Sequence, residues 1–520
     1  MANYRAQESR ILLIRLLWIL SATSFVTGSI ETEIREFGNR QHVSRIEDAV
    51  QQDNQGLTGK CMDQPGSEEC LMLDAGLHHG GDRKCGQGDF SQICDKHEEI
   101  CNGHDSTIDG ALMKENAIDG NFALKLQGAP RMKLLTNGTL YNPKHIGRRN
   151  VLLAGKHIAA IFTNEEFPFV NLSGLPMDVI DVEGGLIAPG LIDIHIHLTG
   201  GGGEMGPSSR TPEASLPELL SGGITSAVGV LGTDCVSRSL ENLLTKSKAL
   251  QEQGLTIFMW SGCYQMPSLT LTGSLLRDMQ LISEVIGAGE IAISDHRSSW
   301  PSTQDLLKLV SEARVGGMLS GKAGIVHFHV GAATSYLDPL WQVINVSRGA
   351  IPITQMLPTH ISSRGAALVQ EAEVWLQSGG HVDLTSDQDG KSASYGVLLD
   401  WKRGGIPLGS VSISSDGFGS LPVFDSKGEI VDYAVASPKV NLDTIKRLVK
   451  QANWSLEDAL QLSTSNPARF LSLSSKGKLE LGSDGDLIVL DEKTLDLKYV
   501  FAMGEVMKTP RWTKKGMFDR

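Results

Sequence analysis

The sequence predicts an α/β protein centred on a (β/α)₈ barrel, with short β-hairpins before the barrel and a long N-terminal extension. Three observations predict it. Eight strand-like apolar runs alternate with helical stretches across residues 187–465, which implies a parallel sheet. Several helical stretches stop at Gly, as a helix end should. Residues of metal-binding type stand at the ends of the strand-like runs, where such a barrel carries its chemistry. The bulk properties agree. The 520 residues are 41% apolar and 21% charged, which allows a sizeable core. A formal net charge of −13 argues against nucleic acid as a partner. Beyond the N-terminus no 18-residue uncharged apolar run occurs, so the body of the chain is not expected to span a membrane.

Residues 1–29 have a signal or anchor character. Arg10 precedes ILLIRLLWIL and the small-residue stretch SATSFVTGS, a secretory pattern with a basic flank. Arg15 interrupts the apolar stretch, and an amphipathic helix or a misplaced start is the alternative. The first reading places the protein in the secretory pathway, the second in the cytoplasm. Sequons at Asn137, Asn171, Asn345 and Asn453 suit a secreted protein, but a chain rich in Ser and Thr acquires them by chance.

Residues 30–128 lack sustained periodicity and carry Cys61, Cys70, Cys85, Cys94 and Cys101. Clustered cysteines behind a signal-like segment suggest disulfides with one thiol left over. A metal clip of Cys94, His97, Cys101 and His104 is an alternative, and a poorly ordered extension is the plainest reading. Across 129–186 the runs KLLTNGTLY, NVLLAGKHIAAIF and DVIDVEGG read as small β-hairpins.

The barrel strands are expected in LIAPGLIDIHIH, ITSAVGVLGT, LTIFMWSGCY, EIAISD, GIVHFHVG, ITQMLPTH, HVDLTS and VSISSDG. Helices are expected in LENLLTKSKALQEQG, LLRDMQLISEVIG, TQDLLKLVSEARVGG and AALVQEAEVWLQSGG. An open doubly wound sheet would fit the alternation too, but no Gly-rich phosphate loop follows the first strand.

His195 and His197 end the first run as H-I-H, so both imidazoles point to one face of the strand. His329 ends the fifth run, His360 the sixth and Asp416 the eighth. Glu290 opens the fourth, a less natural place for a ligand. Imidazoles and carboxylates converging on one rim make a site for Zn²⁺ or a similar divalent ion. His327 shares a strand face with His329 and is read as a core histidine; His296 is read as structural.

These residues carry a family resemblance. APGLIDIHIHLTGGGGEMGP resembles the first-strand signature of amidohydrolases, and its GGGGE tail is similar to that of isoaspartyl (β-aspartyl) dipeptidases. The likeness continues through LGTD, SGCYQMPSLTLTGS, ISDHRS, VGGMLSGKAG, HFHVG, LPTHI and SSDGFGSLP. GKLELGSDGDLIVLD resembles the strand pair that completes the family's small β domain. The resemblance therefore implies that 129–186 and 466–520 form one small β domain flanking the barrel.

The resemblance also implies two divalent metal ions, with Zn²⁺ expected, and a small dipeptide as substrate. His195 and His197 would bind the buried ion, His329 and His360 the more exposed one. Asp416 would ligate and act as general base for a metal-activated hydroxide, and Tyr264 would hydrogen-bond the developing oxyanion. Glu204 would pair with the substrate's α-ammonium, and Arg297 and Arg364 with its carboxylates. Gly202, Gly203, Thr233 and Ser420 fall at substrate-contact positions. Homo-oligomers are common among such relatives.

One departure stands out. The family bridges its metals with a carboxylated lysine on the fourth strand, where this chain has Glu290 and one extra residue before it. Glu brings its own carboxylate but falls short of a carboxylated lysine by roughly 3–4 Å from the same backbone position. Either the inserted residue shifts the strand inward, or the second metal binds weakly. Three functions follow: an isoaspartyl dipeptidase, another amidohydrolase acting on cyclic amides or N-acyl amino acids, or a non-catalytic scaffold.

Overall fold

The computed structural model describes residues 132–166, 176–388, 393–424 and 430–519. The signal-like segment, the Cys-bearing extension and Asn171 lie outside them. A first sheet begins with β1 (Met132–Asn142), β2 (Lys144–Ala154), β3 (His157–Phe162), β4 (Met177–Asp181) and β5 (Leu186–Pro189). The barrel follows with β6 (Leu191–Ile196), β7 (Ile224–Gly229), β8 (Thr256–Ser261), β9 (Val285–Ile293), β10 (Ile325–Val330), β11 (Met356–Thr359), β12 (Val382–Thr385) and β13 (Val411–Ser414). A hairpin of β14 (Ser420–Phe424) and β15 (Ile430–Val435) comes next. The chain then returns to the first sheet with β16 (Leu487–Leu490), β17 (Leu497–Ala502), β18 (Glu505–Thr509) and β19 (Trp512–Thr513).

That first sheet has nine strands, and β5 pairs antiparallel with β16, so segments on both sides of the barrel build it. Its core of Leu135, Leu140, Val151, Leu153, Ile187, Val489 and Phe501 is sealed from water. At about 25 cal/mol per Å² of apolar area, this burial ties the two flanks together.

The barrel strands β6 to β11 form one parallel sheet and β12 and β13 a parallel pair. The ring closes where Ile196 bridges Gly417 and the His197 amide donates to the Gly417 carbonyl at 2.9 Å. The predicted run LIAPGLIDIHIH is split at Gly190 between the two sheets. A Cβ at Gly190 would stand 2.2 Å from Thr225 Oγ1, so the crossing needs glycine.

The fourth unit differs most from expectation. Its helix covers only Leu275–Leu281, and the strand starts at Val285. The run ISEVIG, read as helical, is half turn and half strand, and Glu290 lies inside β9 rather than opening it. Ala288 faces Val326 and Ile291 faces Phe328, leaving Gly289 and Glu290 together opposite His327. This is a β-bulge, which bends a strand and re-aims a side chain. Gly289 has φ 151°, and a Cβ there would lie 2.8 Å from the His327 carbonyl oxygen.

Cys235 and Cys263 form a disulfide with Cα atoms 6.0 Å apart. It joins the loops after β7 and β8. Among the described residues no helix is long and apolar enough to cross a membrane.

Candidate metal and substrate site

Side chains from five barrel strands or their C-terminal ends meet at one rim. His195 is fully buried on β6, and His197 follows two residues later with its ring 5.6 Å away. The chain around His197 must be bare, because a Cβ at Gly232 would come within 2.6 Å of its ring. Glu290 points inward from the bulge. Its Oε1 lies 2.8 Å from His329 Nδ1 and 3.1 Å from His360 Nε2, and its Oε2 lies 3.5 Å from His195 Nε2. Asp416 closes the ring, with Oδ1 3.1 Å from His197 Nε2 and 3.5 Å from His195 Nε2.

His360 and Asp416 both have left-handed backbones, at φ 66° and 52°. Asp and His enter that region more readily than most side chains, but it is uncommon for any residue except Gly, and the surrounding packing holds both in place.

The donors divide into overlapping groups: His195, His197 and Glu290; Glu290, His329 and His360; His195, His360 and Asp416. Glu290 belongs to two of them. His195 Nε2, Glu290 Oε2 and Asp416 Oδ1 are buried without a hydrogen-bond partner. Buried polar atoms are rarely left so, and nitrogen and carboxylate donors suit Zn²⁺ or a similar divalent ion. The residues therefore fit a metal.

Electrostatics favours the neutral, ligating form of two of the histidines. Burial, with repulsion among the neighbouring histidines, pushes His195 and His360 well below the usual imidazole range, so both are neutral. His197 is raised: burial opposes its charge, and Asp416, Glu290 and Glu204 outweigh it. Burial, reinforced by Glu290, lifts Tyr264 well above an ordinary phenol, so it keeps its proton. Its hydroxyl lies 2.8 Å from His329 Nδ1.

The supporting shell is less visible in the sequence. Thr385 Oγ1 meets His360 Nδ1 at 2.6 Å. Asp295 accepts from His329 Nε2 at 3.0 Å and from Arg297 Nε at 3.0 Å. Burial alone would raise Asp295, but those partners hold it well below the carboxylate range. Asp295 falls inside the ISDHRS block, whose arginine drew the attention. His327 contacts His195 directly, and His296 is not a packed structural residue: its side chain is 88% exposed.

Most of the expected substrate residues gather beside this centre. Thr233 Oγ1 donates to Glu204 Oε1 at 3.1 Å, and Arg297 meets the same oxygen at 3.4 Å. The Arg297 guanidinium also lies 5.2 Å from the Tyr264 ring centroid. Gly202 and Gly203 have φ 71° and 103°, and a Cβ at Gly202 would stand 3.3 Å from Ser420 Cβ. Arg364 stands at the end of β10, its Nε donating to the Val330 carbonyl at 3.3 Å, and its charge is among those acting on His360.

A barrel of parallel strands whose rim carries this inward donor set is of a class that could hold divalent metal. Residues 186–519 match the model of the amidohydrolase family, and the chain belongs to that family. Its fold resembles the β-aspartyl dipeptidase of Fervidobacterium islandicum AW-1, solved in complex with a β-Asp-Leu dipeptide. That structure is 39% identical, spans 75% of this chain and 100% of its own, and superposes with a TM-score of 0.68. A second structure of that dipeptidase is 38% identical with the same coverage and TM-score. A dihydroorotase of Staphylococcus epidermidis (strain ATCC 35984) is 31% identical over 407 residues, 70% of this chain and 90% of the relative.

Proposed function

We propose that this amidohydrolase cleaves β-aspartyl dipeptides at a binuclear centre in which Glu290 replaces the bridging lysine. The observation that carries the reading is the cluster of Glu204, Thr233 and Arg297 beside Tyr264 and Glu290, an anion and a cation set for a small zwitterion. The likeness to a dipeptidase solved with β-Asp-Leu supports it.

His195, His197, Glu290, His329, His360 and Asp416 would hold the ions. Divalent ions there would lower the pKa of water and polarise the peptide carbonyl. Asp416, the ligand side chain with most access at 18% exposure, takes the proton of the attacking water. It passes that proton to the leaving amine as the C–N bond breaks. The protonated Tyr264 hydroxyl donates to the carbonyl oxygen as charge builds there. Glu204 binds the α-ammonium, and Arg297, braced by Asp295, binds a carboxylate as a planar fork. Gly202 and Ser420, which approach each other closely, would contact the substrate as well.

The dihydroorotase relatives favour a second reading, hydrolysis of a cyclic amide. A cyclic amide lacks the free α-ammonium that Glu204 suits. Incubating the purified protein with β-Asp-Leu and, separately, dihydroorotate separates the two. Turnover of the dipeptide supports the first reading; turnover of dihydroorotate alone would replace it.

A further inference from the structure

His327 lies one pleat deeper in the barrel than His329, beneath His195 and outside the set of direct donors. Its Nε2 is 2.9 Å from His195 Nδ1, and its Nδ1 is 3.1 Å from the Leu357 carbonyl oxygen. Both rings are fully buried. The His327 ring stacks on Trp260 with centroids 5.4 Å apart at 18°, and Trp260 Nε1 donates to the Ile194 carbonyl at 3.0 Å. Gly289 packs against the backbone and Cβ of His327, where a Cβ of its own would stand 2.8 Å from the His327 carbonyl oxygen.

The order of donors in this chain follows from one fixed point. A carbonyl oxygen only accepts, so the Leu357 contact requires a proton on His327 Nδ1. In a neutral ring that leaves a lone pair on His327 Nε2. The contact at 2.9 Å then requires His195 Nδ1 to donate. His195 Nε2 is left with a lone pair, 3.5 Å from both Glu290 Oε2 and Asp416 Oδ1.

We propose that His327 is a positioning residue that fixes His195 in its Nδ1–H tautomer and holds its Nε2 toward the metal centre. The backbone carbonyl of Leu357 sets the sense of the chain, and the Trp260 stack sets the plane of the ring. A carboxylate or a carbonyl commonly fills this role behind a metal-bound histidine. Here a second histidine fills it, with the carbonyl one step further back. The proposal rests on His195 being a ligand.

Three forms of the full chain test it: wild type, His327→Phe and His327→Gln. Phe keeps the stack on Trp260 and removes the acceptor; Gln retains an acceptor oxygen. Zinc affinity is measured by competition with a chromophoric chelator. The tautomer of His195 is read from its ring carbon and nitrogen shifts after selective histidine labelling. Wild type should show the Nδ1–H tautomer. His327→Phe should lose about 10–100-fold in affinity at one zinc site, and His327→Gln should recover part of the loss. Equal affinity in folded His327→Phe, or an Nε2–H tautomer in wild type, would overturn the proposal. Absence of zinc binding by wild type would instead remove the metal reading, while the tautomer would still decide the role of His327.

Discussion

Glu290 Oε1 stands 2.8 Å from His329 Nδ1 although its side chain is far shorter than a carboxylated lysine. The bulge at Gly289 closes that gap by giving β9 one residue more than β10 opposite His327. If the carboxylate bridges two ions, Glu290→Ala should lower bound zinc from about two per chain to one or none, measured by elemental analysis. Deleting Gly289 should do the same with Glu290 intact, because register and reach are lost together. Two ions retained in both variants would show that Glu290 is no bridge.

Tyr264→Phe should lower kcat by about 10²–10³-fold, the usual cost of one oxyanion donor, with a smaller change in KM. Steady-state kinetics on β-Asp-Leu reads this directly. A rise in KM alone would assign Tyr264 to substrate packing.

The charged pair at the rim gives the opposite signature. Glu204→Gln should raise KM with little effect on folding, since Glu204 is partly exposed and meets Thr233 and Arg297 through one oxygen, Oε1. Unchanged KM would remove Glu204 from substrate recognition.

The disulfide closes a loop of sequence separation 28 and ties the Thr233 loop to the residue before Tyr264. Loop-closure entropy assigns it about 3–4 kcal/mol. Cys235→Ser with Cys263→Ser should therefore lower Tm by several degrees, read by calorimetry, and loosen substrate binding. No shift in Tm on removing the bridge would show that it is not formed in solution.

His381 offers a pH test away from the metal centre. Burial, then the charge of Arg469, lowers its imidazole to about 4, and the ring stacks on Phe470 at 4.1 Å. The unfolded chain takes up a proton below about 6.5, whereas the folded ring does so only near 4. This contribution to stability is complete above 6.5 and is lost as pH falls toward 4. His381→Phe keeps the stack and should flatten the fall of Tm across that window. An identical pH profile would show that His381 does not titrate as described.

Much of this was legible because strand periodicity and strand ends are local properties. His195 and His197 could be placed on one face by alternation, and His329, His360 and Asp416 on the same rim because they end their strand-like runs. What could not be read is long-range. Glu290 looked misplaced because the bulge exists only against β10, and the helix before it looked longer because ISEVIG is apolar in either state. The Cys235–Cys263 pair drew no notice beside five clustered cysteines, although both residues follow strand ends. The contacts of Asp295 and Thr385 depend on neighbouring loops. Arg364, expected at a substrate carboxylate, also donates to the Val330 carbonyl, a contact made across neighbouring strand ends.

The most direct measurement is hydrolysis of β-Asp-Leu against α-Asp-Leu by the purified full chain, before chelation, after it, and after zinc is restored. The account predicts cleavage of the β-linked peptide only, lost with the chelator and regained as zinc returns to two per chain. Cleavage that survives complete metal removal, or restored binding of two ions with neither peptide cut, would contradict it.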